Sequence, residues 1–188
     1  TIQNVIEFVD ITTAGDGTDF GDLTVARSDL MAVSSDTRAV AAGKEAEQSA
    51  AIDYVTIASA GNAADFGDQT AASSAGSGTG NAIRGLFALG RVNDENVNSI
   101  DYITIATTGN ATDFGDRTTT AAYMQDSGVS STTRGVFAGG YISSAVDIID
   151  YVTIASTGNG TDFGNLPGVK YGLGGASSSI RGCLSGGN

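Results

Sequence analysis

The chain has 188 residues, 40% of them hydrophobic, with 27 Gly, one Pro, no Trp and no His. A net charge of −12, from 21 acidic and nine basic residues, argues against binding to nucleic-acid phosphates or to anionic membranes and suits solubility in a salty medium. Without histidine and with Cys183 alone, an intrachain disulfide, a cysteine-rich metal site and a Cys–His nucleophile are all excluded.

Along the chain, short β-branched and aromatic runs alternate with Gly, Asn, Asp and Ser clusters, a pattern of strands and turns with few helices. The first run, "VIEFVDI", leads through "AGDGTDFGD" at Ala14 to Asp22. Its Asp-Phe-Gly spells the magnesium-binding triplet of protein kinases, but the companion HRD, strand lysine and phosphate loop are missing. The triplet also returns, in "NAADFGD", "NATDFGD" and "NGTDFGN". It therefore marks a structural period.

Anchored on Asp19, Asp65, Asp113 and Asp162, the spacings are 46, 48 and 49 residues, so four repeats of about 47 fill a single domain over 1–188. An acidic–aromatic pair lies upstream of each triplet, its acid 12 residues before the aspartate: Glu7-Phe8, Asp53-Tyr54, Asp101-Tyr102 and Asp150-Tyr151. Arg38, Arg84, Arg134 and Arg181 follow the triplets and open the runs "RAVAAGK", "RGLFALG", "RGVFAGG" and "RGCLSGG".

Each unit reads as four short strands. In the third repeat these are expected near Ala121 to Met124, Arg134 to Gly139, Ile149 to Ala155 and Asp162 to Leu166. Both faces of "IDYVTI" carry apolar residues, so this strand should be covered on both sides. The triplets are expected in hairpin turns, with Phe20, Phe66, Phe114 and Phe163 wedged into the core.

A period of 40 to 50 residues with four strands is the pattern of a β-propeller blade. The chain opens on a third strand and finishes after a second, so its ends together would make one blade. The expectation is an all-β propeller of four four-stranded blades, the ring closed by pairing of the N- and C-terminal strands, which hides two sheet edges. An eight-bladed ring built by a dimer is the alternative. Thr1 is no initiator, so the chain reads as a processed product or an excised piece.

The unit resembles the kelch family. Gly139-Gly140 and Gly186-Gly187 match the diglycine that closes a kelch second strand, and Tyr54, Tyr102 and Tyr151 match its third-strand aromatic. "TVARSDLMAV" looks like the stretch between a kelch fourth strand and the next first strand. Gly43-Lys44 and Leu89-Gly90 depart from the diglycine, and the usual tryptophan is absent. Repeats of the type "IDYVTIASTGN…TDFGD" are also similar to those of structural proteins of marine tailed phages. That similarity implies a virion or extracellular role in a tail, fibre or surface module, with other virion proteins or a surface glycan or protein as partners. The competing function is a stand-alone lectin-like module that binds carbohydrate or protein.

Calcium is weighed first among candidate sites. Asp19, Asp22, Asp65, Asp68, Asp113, Asp116 and Asp162 lie at three-residue spacings, often beside Asn. Hard oxygen ligands could converge there, but the alternate ligands and terminal glutamate of an EF-hand are missing. Asn and Asp as turn-forming residues are the preferred reading, so no cofactor is expected. The repeated arginines read as polar clamps to carboxylate or carbonyl, with a ring around a central channel as the alternative. Asn110-Ala111-Thr112 and Asn159-Gly160-Thr161 match the glycosylation acceptor pattern as a by-product of turn chemistry. "GSGTGN" lacks phosphate-loop spacing, no tyrosine–arginine pairing marks a sialidase-like site and no carboxylate pair stands out, so no enzyme is expected.

The turn between third and fourth strands is nearly constant. The links from second to third strand ("KEAEQSAA", "RVNDENVNS", "YISSAVDI") and from fourth to first vary, and in a propeller both emerge on one face. Binding often lives on loops carried by a rigid scaffold. The candidate ligand-binding residues are Lys44, Arg91, Asn93, Asp94, Tyr123, Tyr141, Lys170 and Tyr171.

Overall fold

A computed structural model describes residues 2–43 and 49–188. All regular structure among them is β-strand. β1 (Val5–Phe8) and β2 (Thr18–Asp22) form an N-terminal hairpin. The first complete unit is β3 (Met31–Ser34), β4 (Arg38–Ala42), β5 (Ser49–Thr56) and β6 (Ala64–Ser74). The second begins with β7 (Ser77–Gly80) and β8 (Arg84–Ala88). Two short strands, β9 (Arg91–Val92) and β10 (Glu95–Asn96), precede its β11 (Ser99–Thr104) and β12 (Thr112–Asp116). The third is β13 (Val129–Ser130), β14 (Arg134–Ala138), β15 (Val146–Thr153) and β16 (Thr161–Lys170). β17 (Leu173–Ser177) and β18 (Gly182–Gly186) form a C-terminal hairpin.

Within each complete unit neighbouring strands are antiparallel and follow chain order. β9 also pairs with the edge of β6, through Ser73↔Val92 and Ser74↔Arg91, which extends the first sheet to six strands. Among the described residues β1 pairs with β2 and β18 with β17, and the expected pairing of the N- and C-terminal strands is not seen. The first strand of the third unit is also displaced, to Val129–Ser130, while Ala121 and Ala122 are buried in the preceding link.

The Asp-Phe-Gly triplets are β-bulges. In the second unit Ile100 faces Gly115 and Asp101 faces Asp113, so Phe114 is the extra residue of β12. The same shift occurs beside Phe20, Phe66 and Phe163. The tight turn expected at the triplet lies well before it, at Ile105-Ala106, where Thr107 donates to the Thr104 carbonyl at 3.0 Å. Each bulged ring meets the third-strand aromatic edge to face, as in Tyr102–Phe114 at 5.8 Å and 80°. Phe20, Phe66 and Phe114 are buried, but Phe163 is 53% exposed, because no further sheet covers it.

The core lies between sheets. In β8 successive side chains point to opposite faces. Phe87 and Leu89 join Met31, Val33, Val40 and Phe66 of the first unit. Leu86 and Ala88 join Phe114 and the third unit's Phe137, Val152 and Ile154. The first strands approach closely through small residues: a Cβ on Gly78 would overlap the Ala32 carbonyl, and one on Gly128 the Gly78 carbonyl.

Two devices join successive units. The turn of one unit hangs on the fourth strand of the unit before it: Gly61, Gly109 and Gly158 each donate to the carbonyl of Phe20, Phe66 and Phe114 at 2.7 Å. Asn62, Asn110 and Asn159 accept from the amides of Asp22, Asp68 and Asp116 at 3.1, 3.1 and 3.2 Å. The second device is a buried carboxylate on each complete unit's third strand. Thr24, Thr70 and Thr118 donate to Asp53, Asp101 and Asp150 respectively. Asp53 also pairs with Arg27, and Asp150 with Arg117 at 2.8 Å, all four side chains being buried.

Candidate binding site

Three of the variable links meet at one open depression of about 500 Å³, lined in part by Arg91, Asp94, Asn96, Tyr123 and Tyr141. Arg91 begins β9 and is held at the edge of β6 by the Ser74 pairing. Asn93 and Asp94, at φ 50° and 64°, make the tight turn between β9 and β10. A two-residue hairpin with both residues at positive φ suits the strand twist, and Asn and Asp tolerate that conformation. The Arg91 guanidinium donates to the Tyr123 hydroxyl at 3.0 Å and to the Asp94 carbonyl at 2.7 Å. It lies 5.8 Å from the Tyr123 ring centroid and 3.7 Å from the Asp94 carboxylate.

Tyr123, Tyr141 and Tyr171 form a row. The first two rings meet at 6.3 Å and 85°, and the second pair at 5.4 Å and 70°. Edge-to-face contacts of this kind contribute about 0.5–1.5 kcal/mol beyond area burial. Tyr123 has φ 54° and Gln125 φ 46°, conformations that are costly for residues with bulky side chains. The surroundings fix them: Gly172 donates to the Tyr123 carbonyl at 2.9 Å, and Ala122 and Tyr141 exchange backbone bonds of 3.0 and 2.8 Å. Asn96 donates to the Tyr141 carbonyl at 2.9 Å, which secures the middle of the row.

Of the candidate residues, Arg91, Asp94, Tyr123 and Tyr141 line the depression, Tyr171 extends its aromatic row, and Asn93 sits in the adjacent turn. Lys170 stands apart as the exposed end of β16, its carbonyl accepting the Gly140 amide at 2.8 Å. Lys44 lies outside the described residues. Asn96, Glu95, Thr120 and Ile142 also line the depression. No periodic signal marks them, because they come from different links.

The aspartates weighed for calcium lie on β2, β6, β12 and β16. Asp65 and Asp162 accept the amides of Gly67 and Gly164, at 3.2 and 3.1 Å, and Asp22, Asp68 and Asp116 meet the asparagines of the following turns through their backbones. Among the described residues no group of three or more acidic or cysteine side chains is placed to hold a metal ion. Arg38, Arg84 and Arg134 stack over Tyr54, Tyr102 and Tyr151 at 4.4, 4.8 and 4.6 Å. Arg38 and Arg84 then reach the next unit, donating to the carbonyls of Ile105 and Ile154 at 2.9 Å. No family model matches the chain, and no curated protein matches it either.

Proposed function

We propose that the chain is a non-catalytic binding module, built of propeller blades, that attaches to carbohydrate through the Tyr123–Tyr141–Tyr171 row. The observation that carries this reading is the row itself, set beside the guanidinium of Arg91 in an open depression. Tyrosine rings offer apolar faces to sugar C–H groups, and their hydroxyls, with Asn96 and Asp94, offer hydrogen bonds to sugar hydroxyls. The positive φ at Tyr123 supports a binding role, since backbone strain is retained where the surroundings over-determine it and function uses it. The phage-type repeats favour a virion tail, fibre or surface component as the setting, with host-surface glycan as the ligand.

The test is a panel of immobilised oligosaccharides probed with the whole chain, wild type and Tyr141→Ala. The expected result is binding to one class of glycan, weakened at least tenfold in the variant while the thermal midpoint holds within a few degrees. Wild-type protein that binds no member of the panel overturns the glycan reading, as does full binding by the variant.

A further inference from the structure

We propose that the depression selects uncharged glycans over sialylated, uronic or sulfated ones, with the Asp94 carboxylate as the deciding group, a selectivity that rests on the glycan-binding role given above. Among the described residues lining the depression the charged ones are Arg91, Asp94 and Glu95, so one cation stands against two anions. The chain around them carries a net charge of −12, which adds to the repulsion of an anionic ligand.

The cation is the inner group and the anion the outer one. The Arg91 side chain is 27% exposed and that of Asp94 is 88% exposed, so an arriving ligand meets the carboxylate first. Both terminal nitrogens of the guanidinium already donate within the site. Nη1 bonds the Tyr123 hydroxyl at 3.0 Å, and Nη2 bonds the Asp94 carbonyl at 2.7 Å. Those nitrogens are the ones that would fork a ligand carboxylate, since arginine recognises such a group through two parallel N–H bonds. The Asp94 carboxylate also lies 3.7 Å from Nη2, within ion-pair reach but too far for a hydrogen bond. A second anion drawn to Arg91 would have to lie against it, at a separation where like charges repel.

Asp94 is also held in place. It occupies the second position of the tight turn between β9 and β10 at φ 64°, with its own carbonyl tied down by Arg91, and β9 is fixed to the edge of β6. Asn96 gives its amide nitrogen to the carbonyls of Tyr141 and Ile142 at 2.9 and 3.3 Å, so it presents its oxygen to a ligand. Asp94, Glu95 and the Asn96 oxygen are all acceptors. A sugar hydroxyl brings the hydrogen they need, whereas a ligand carboxylate or sulfate brings only further acceptors. A hydroxyl that donates to Asp94 makes a charge-assisted bond while the sugar C–H groups lie on the tyrosine rings.

The experiment measures binding of the full chain to immobilised oligosaccharides in matched sets: a neutral member, its sialylated form and its sulfated form. Wild-type protein should bind the neutral member about tenfold tighter than either acidic form, and added salt should narrow the gap by screening the repulsion. Asp94→Asn keeps the shape of the side chain and tolerates the same turn conformation. It should weaken the neutral member about tenfold, through loss of a bond to a charged acceptor, and close the gap without moving the thermal midpoint. Equal or tighter binding of a sialylated or sulfated member overturns the selectivity and leaves glycan binding standing. Wild-type affinity and selectivity in Asp94→Asn overturn the role of the carboxylate. No binding to any set overturns glycan binding itself, and the selectivity with it.

Discussion

Gly109 donates its amide to the Phe66 carbonyl at 2.7 Å, which brings the turn of the second unit onto the bulge of the first. The approach leaves no room for a side chain: a Cβ on Gly67 would lie 2.5 Å from the Gly109 carbonyl carbon. Gly67 has φ 141° and Gly164 has φ 133°, so both resist a side chain on conformational grounds, but only Gly67 is also crowded. Gly67→Ala should therefore cost about 1–3 kcal/mol more than Gly164→Ala. Denaturant midpoints of the two variants check this, and equal losses would show that the turn does not dock.

The bulged phenylalanines allow a second comparison. Phe114 is buried beside Tyr102, with Leu86 and Phe137 in the same cluster, and Phe114→Ala should cost about 3–5 kcal/mol through the cavity it leaves. Phe163→Ala, at the uncovered end, should cost no more than about 1 kcal/mol in the isolated chain. Chemical denaturation at low protein concentration measures both. A large loss at Phe163 would mean that this end is covered in solution.

The Arg117–Asp150 pair is fully buried, and burial pushes the Arg117 guanidinium down from its ordinary value while the Asp150 charge opposes that shift. Removing one partner leaves a buried charge alone. Arg117→Met should cost about 3–5 kcal/mol, and adding Asp150→Leu should recover much of that loss. A double variant no more stable than the single one would assign the loss to packing rather than to the stranded carboxylate.

Asp101 has the same place on its strand, but among the described residues no arginine pairs with it as Arg27 and Arg117 pair with Asp53 and Asp150. Burial raises its pKa, the side-chain and backbone bonds from Thr70 oppose the rise, and Asp113 adds to it. A carboxyl raised in the folded state binds its proton more tightly there than in the unfolded chain. Its contribution is thus present below the ordinary carboxylate value and is lost as pH rises through the folded value. Relative to Asp101→Asn, which cannot ionise, wild-type protein should lose stability across that window. Unfolding free energies of both proteins at several pH values test this, and a pH-independent difference would refute it.

The repeat and most of its strands were legible in the sequence because they follow from local patterning. The acid–aromatic pair, the arginine and the Asp-Phe-Gly triplet recur at fixed offsets, and a strand's two-residue side-chain period turns those offsets into opposed faces. Arg38, Arg84 and Arg134 at the starts of second strands and Tyr54, Tyr102 and Tyr151 on third strands were readable in this way, and their stacking follows from the shared register.

Tertiary structure decided what depends on a neighbouring sheet. Phe163 has the same local sequence as Phe114, yet one is exposed and the other buried, because burial is set by what packs on top. The triplet proved to be a bulge because its third-strand partner carries one residue fewer at that point, a fact about two strands together. Val129–Ser130 displaced Ala121–Met124 as a first strand when the preceding link was buried behind Tyr123 and Tyr141. Arg91 and Tyr171 are 80 positions apart in the chain, and only the stacking of sheets brings them to opposite ends of one aromatic row.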